Sequence, residues 1–263
     1  MSSILRRAAL AALCFFAPFA ANGASTTNFS DQWWVPSESG WGASVLQQKD
    51  VLFIDLFVYD AGGVPIWYTA AAYLQAPGAN GHIVFTGDLY QTNGPWFGGP
   101  FNPASVTSHR VGSLTFDASS SDTAALFYSV NGVNVVKDVT RQLWAYEDFS
   151  GSYQGGLVYD LSNCSNPSNN GHVEELGPIV ISQTGNTAFA MTTQSSLGTC
   201  NWNATYSQLG HMGTAAGTFA CNNGIQGSFT AFELEKTLSG MTGRIVASDN
   251  FCQLNGRLGG VLR

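Results

Sequence analysis

The sequence predicts an all-β protein built from two consecutive antiparallel meander domains, each better suited to a small up-and-down barrel than to a sandwich. Three observations point there. Apolar and polar residues alternate with period two through both halves of the chain, the pattern of strands with one packed and one wet face. Turn signals such as Asn131-Gly132, Gly185-Asn186 and Asn222-Asn223-Gly224 recur at short intervals. Only 10% of the 263 residues are charged while 30 are glycine, a composition poor in helix formers.

The elements follow in order. Arg6 and Arg7 precede an apolar run over 8–21, and Ala21 and Gly23 sit where a signal peptidase needs small residues. Residues 1–24 therefore read as a secretory leader, too short to span a membrane, with Cys14 inside the discarded part. The expected location is exported, periplasmic or extracellular. Removing the leader takes two of the ten basic residues and none of the seventeen acidic ones, leaving a net charge of −9. So acidic a chain repels phosphate backbones and anionic lipid, which argues against nucleic acid or a membrane as partner.

From 25 to 147 the chain is tryptophan-rich, and strands are expected over 41–49, 51–59, 64–74, 82–90, 110–117, 124–130 and 133–143, with a long Gly/Pro/aromatic connection over 91–109. The boundary falls near 144–149, and each half is about 115 residues, an ordinary domain size. From 148 to 263 eight strands are expected, over 152–160, 177–184, 187–193, 200–208, 213–221, 225–236, 241–248 and 252–262. Glycines inside these strands, Gly155, Gly156 and Gly256 among them, would weaken a flat sheet but allow the coiling of a barrel, and closure removes exposed edges.

The stretch Trp33-Trp34-Val35-Pro36-Ser37-Glu38-Ser39-Gly40-Trp41-Gly42, followed by Phe57-Val58-Tyr59-Asp60, Gly63 and Pro65-Ile66-Trp67-Tyr68, resembles a module recurring in exported bacterial proteins of uncharacterised function. Tyr128 to Val133 and Thr140 to Trp144 are similar to the usual ending of that module. The resemblance covers most of the first half and implies secretion and a β fold, with no established activity.

Topology sorts the special residues, because alternate strand ends of a meander share a rim. All four cysteines of the second half fall at one end. In a closed barrel the first and last strands are neighbours, so the pairing Cys164–Cys252 and Cys200–Cys221 is favoured over the two other connectivities. A four-thiolate zinc site is the alternative, but the wide spacings and an oxidising compartment favour disulfides. No metal or other cofactor is expected.

In the first half the same sorting gathers Trp33, Trp34, Glu38, Trp41, Asp60, Trp67, Trp96 and Arg110 on one rim, with Phe97 and Phe101 on the long loop. Rings beside charged tips suit a glycan or a small polar or aromatic ligand, although tryptophans such as Trp41 and Trp67 also serve as core packing. Asp55 lies between apolar neighbours on a strand apolar on both faces, so both faces are expected to be covered and the carboxylate to need either a partner, for which Arg141 or Lys137 could serve, or a raised pKa. Glu174, Glu175, Glu233 and Glu235 read as solvated charges. There is no Gly-x-Ser-x-Gly elbow, His-x-x-x-His pair or phosphate loop, and the four histidines are scattered. The leading expectation is a non-catalytic binding or interaction protein working through the aromatic rim. The alternatives are a glycan hydrolase using Glu38 and Asp60, and an inhibitor or adhesion factor acting through a protein surface.

Overall fold

A computed structural model describes residues 27–76 and 80–263; the secretory leader expected over 1–24 lies outside them. The first eight strands are β1 (Asp31–Trp34), β2 (Gly42–Gln48), β3 (Val51–Tyr59), β4 (Pro65–Leu74), β5 (Ile83–Asn93), β6 (Thr107–Ala118), β7 (Thr123–Val130) and β8 (Val133–Arg141). The next eight are β9 (Gly151–Ser162), β10 (Gly171–Thr184), β11 (Ala188–Ser195), β12 (Gly198–Leu209), β13 (Met212–Cys221), β14 (Gln226–Thr237), β15 (Gly240–Asp249) and β16 (Gln253–Leu262). Each set forms a closed antiparallel up-and-down barrel, β8 pairing back onto β1 and β16 onto β9. Barrels, not sandwiches, are the architecture.

The turns are those the sequence signals. Asn131 and Gly132 both have positive φ, 49° and 87°, the requirement of a two-residue hairpin whose twist matches its strands. Alternation sets the inward faces: Leu52, Ile54 and Leu56 of β3 and Tyr68, Ala70 and Ala72 of β4 fill the first barrel. The outward face of β3 is not covered as expected. Phe53 and Phe57 are exposed there, and Asp55 is half-buried with its carboxyl pushed up by burial. Arg141 and Lys137 pair elsewhere, with Asp31 and Glu38 respectively.

The first barrel has one strand more than the sequence reading. Four-residue β1 closes it, through only Trp33↔Arg141 and Trp34↔Thr140 on the β8 side. The second barrel closes along ten residue pairs from Gln253↔Ser162 to Leu262↔Tyr153.

Both barrels open with the same plug. Phe29 and Phe149 are fully buried, and each precedes an aromatic donor by four residues: Trp33 Nε1–H donates to Phe29 O (3.0 Å), and Tyr153 O–H to Phe149 O (2.7 Å). The Phe29 N–H donates to Gln47 Oε1 (2.7 Å) and the Phe149 N–H to Gln183 Oε1 (3.0 Å). The glutamine backbone N–H groups donate in turn to Ser30 Oγ (2.8 Å) and Ser150 Oγ (3.0 Å). Asn28 and Asp148 complete each turn by accepting from the N–H two residues on. Burying each phenyl ring contributes about 1.5–3 kcal/mol, while the glutamine and serine satisfy the backbone groups that a plugged end would otherwise strand.

The plugged ends meet. Asp31 Oδ2 of the first barrel accepts from Arg141 Nη1 (3.1 Å) and from the His211 N–H (3.0 Å) and Nδ1–H (2.7 Å) of the second. His211 Nε2 lies 3.1 Å from Glu235 Oε1, and Thr27 Oγ1 donates to Glu233 Oε1 (2.8 Å). Glu233 and Glu235 are therefore junction groups and not the solvated charges expected. Gly210 is required at this joint: its φ is +59°, and a Cβ there would stand 2.0 Å from Asp31 Oδ2 and 2.8 Å from Arg141 Cβ. Gln208 ties down the linker, accepting from the Glu147 N–H (2.8 Å) and donating to Ala145 O (3.1 Å).

Electrostatics hold the junction in a charged state. The side-chain hydrogen bonds to Asp31 and Glu235 push the His211 pKa up to about 9 despite burial. Burial raises the Asp31 carboxyl, but the hydrogen bonds and charge of His211 more than offset this and leave it lowered. Arg141 is 1% exposed; its guanidinium also bonds Ser121 O (2.7 Å), Asn28 O (2.6 Å) and Ser30 O (3.3 Å), and lies 4.8 Å from the Trp33 ring centroid.

Candidate functional site

Of the eight residues expected on the aromatic rim, the structure buries Trp33 and brings Glu38 and Trp41 together. Trp33 is a correction: it is fully buried, turned inward from β1 against Phe116 and Phe29, and reaches no ligand surface. Trp34 and Trp41 are half-buried. Glu38 Oε2 accepts from Trp41 Nε1–H (2.9 Å) and Lys137 Nζ (2.6 Å), and Lys137 lies 5.5 Å from the Trp41 ring centroid. The Lys137 hydrogen bond, then that from Trp41, lowers the Glu38 carboxyl. A glycosidase acid needs the opposite shift. Asp60 caps its own turn, its Oδ1 accepting from the N–H groups of Gly62 (2.9 Å) and Val64 (2.8 Å). Trp67 pairs with Phe57 on the outer surface of the barrel. Arg110 is held by Asp88 at 2.7 Å. Trp96 (71% exposed) and Phe97 (95%) stand out on the β5–β6 loop with Phe101.

A concave site lies instead at the far end of the second barrel, opposite the Phe149 plug. β9, β11, β13 and β15 end at this rim, and the four cysteines gather there in the expected pairs, Cys164–Cys252 and Cys200–Cys221. Cys200 and Cys221 sit directly opposite on β12 and β13, while Cys164–Cys252 clasps the β9–β16 closure. The two bonds brace the lip of a cavity of about 400 Å³.

Its inner end is aromatic. Trp202 stacks on Phe219 with centroids 4.7 Å apart and meets the edge of Phe229 at 5.1 Å, and its Nε1–H is satisfied by Thr193 Oγ1 (3.0 Å). Leu157, Leu161, Val173 and Leu254 form the walls. Leu197, Ile225 and Phe251 are exposed at the lip. Asn169, Asn223, Ser248 and Asp249 add polar groups to the lining, and one carboxylate stands among the apolar wall residues. Glu175, on β10, accepts from the Tyr159 O–H through Oε1 and from Ser195 Oγ (2.9 Å) through Oε2. Burial first, then the hydrogen bond to Glu175 and its charge, raises the Tyr159 pKa, so the phenol stays protonated and donates.

Glu175 is the second correction, since it was expected to be solvated. A signal for it existed: Ile179 and Ile181 define the inward parity of β10, and Val173 and Glu175 share it. Starting the strand at 177 rather than Gly171 hid this. Tyr159 owes its place to Gly256 opposite, where a Cβ would lie 2.4 Å from Tyr159 Cβ.

Fold and cavity together define a tandem β-barrel protein with one barrel hollowed at its disulfide-braced end. No family model, curated protein or solved structure matches the chain at a significant level.

Proposed function

We propose that this is an exported, non-catalytic binding protein that holds a small, largely apolar molecule in the mouth of its second barrel. The observation that carries the reading is the cavity itself. At about 400 Å³ it falls in the size range of small-molecule sites, and it pairs a largely apolar lining with the hydrogen-bonded pair Tyr159 and Glu175, the latter held from behind by Ser195. The exposed Leu197, Ile225 and Phe251 at its lip would be covered by an occupant. Tyr159, Glu175 and Ser195 are engaged with one another and the cysteines at the lip are oxidised, which suits holding a ligand better than attacking one. Two disulfides also suit an oxidising compartment outside the cytoplasm, in keeping with the leader read from the sequence.

The test uses N-phenyl-1-naphthylamine, an uncharged probe that brightens in apolar surroundings. One equivalent is expected to bind the wild-type chain, and Val173→Trp, which fills the cavity, is expected to abolish binding with the thermal transition retained. Binding unaffected by Val173→Trp would refute the reading.

A second surface has its own support. The exposed rings of Trp96, Phe97 and Phe101 suit a glycan or protein partner at the first barrel. Comparison of wild type with Trp96→Ala on a glycan array tests the glycan case; identical binding profiles would reject it.

A further inference from the structure

We infer that the second-barrel cavity selects an apolar primary amine, receiving the ammonium group on Glu175; the inference rests on the cavity reading above and specifies the chemistry of its occupant. Charge is the first argument. Glu175 and Asp249 are the ionisable carboxyl groups in the lining, and none of the described lining residues is lysine, arginine or histidine. Asp249 Oδ1 is committed to the β15–β16 turn, accepting from the N–H groups of Phe251 (2.7 Å) and Cys252 (2.6 Å). Both carboxylates make the lining negative, and Glu175, on β10 among the wall residues and outside the turn, is the one placed to meet a ligand's charge.

Hydrogen-bond capacity is the second argument. A carboxylate offers about four lone-pair sites. Glu175 uses one on each oxygen, for Tyr159 and Ser195, so each oxygen keeps capacity for a further donor. An ammonium brings three donors and a compensating charge, whereas a hydroxyl brings one donor and no charge. A carboxylate ligand would set two like charges together with no cation in the lining to separate them, which selects against fatty-acid-like anions.

The third argument is the wall. Trp202, Phe219 and Tyr159 contribute aromatic rings to the same cavity, and ring faces attract a desolvated cation. Size sets the scale: about 400 Å³ equals roughly 13 water volumes at about 30 Å³ each, enough for a molecule of about a dozen heavy atoms.

Three ligands of matched shape decide the matter: 4-phenylbutylamine, 4-phenylbutanol and 4-phenylbutanoate, titrated calorimetrically into the full chain at pH 7. The amine is expected to bind at least tenfold more tightly than the alcohol, and the acid more weakly than either. Glu175→Gln should remove the amine's advantage and leave alcohol affinity within twofold, while Tyr159→Phe should keep the amine preference. If Glu175→Gln fails to fold, the order of the three ligands on wild type decides alone. An acid bound as tightly as the amine, or an amine advantage surviving in Glu175→Gln, would overturn the inference and leave the cavity reading standing. Failure of all three with N-phenyl-1-naphthylamine still bound would also overturn it, and failure of that probe too would sink both.

Discussion

Arg141→Met is the sharpest perturbation that the junction offers. Methionine keeps an apolar stem over Trp33 but removes every donor of the guanidinium. Three backbone carbonyls, Asn28 O, Ser30 O and Ser121 O, then lose a partner, and Asp31 loses one of its two cationic partners while retaining His211. Asp122, whose carboxyl burial already pushes up, loses the charge 3.6 Å away that partly holds it down. An orphaned buried acceptor costs about 1–3 kcal/mol, and water entering the vacated space recovers some of this. The net expectation is the cost of breaking a buried ion pair, about 3–5 kcal/mol. Against a domain stability of about 5–15 kcal/mol, this is a large fraction. Urea unfolding followed by tryptophan fluorescence suits the measurement, because six of the seven tryptophans lie at or before residue 144. Arg141→Lys should recover little, since an ammonium cannot span three carbonyls and a carboxylate as a planar fork does. A loss below about 1 kcal/mol would refute the account of Arg141 as the tie between strand, plug and junction.

The junction histidine and the two disulfides each give a further expected outcome. The His211 pKa is raised to about 9 from an unfolded value near 6.5, so its contribution is complete below about pH 6.5 and lost as pH rises through 9. The lowered carboxyls of Asp31 and Glu235 contribute above their unfolded values and lose that contribution as pH falls through the acid range. The difference in urea midpoint between wild type and His211→Gln should therefore be greatest near pH 5–6.5 and shrink above 9; a difference constant from pH 5 to 10 would contradict it. For the disulfides, chain entropy gives about 3 kcal/mol for the 21-residue separation of Cys200–Cys221 and about 4–5 kcal/mol for the 88-residue separation of Cys164–Cys252. Paired Cys→Ser variants in denaturant should keep that order, and a larger loss at the shorter bond would show that local packing outweighs loop closure.

Strand periodicity, hairpin turns and the meander are local properties, and residues within about ten positions of one another state them. The cysteine pairing was legible for the same reason: strand count and alternating direction put all four on one rim, and closure makes β9 and β16 neighbours. Four residues of β1 carry too short a pattern to declare a strand, so Trp33 read as part of a rim although its neighbours in space bury it. Glu175 was readable only by carrying the parity of Ile179 and Ile181 six residues upstream of Gly177, to where β10 begins. The turns at Phe29-Ser30 and Phe149-Ser150 are visible as a repeat, but their role as plugs depends on Gln47 and Gln183, one hairpin strand away. Asp31, Arg141, His211 and Glu235 lie far apart in the chain, and no spacing rule joins them. Sequence alone determined the hairpin pairing and direction of every strand but β1, because alternation and turn chemistry act between near neighbours. Which polar side chains become buried partners was decided only when two barrels closed and their plugged ends met, since burial depends on what packs opposite a residue and not on what precedes it.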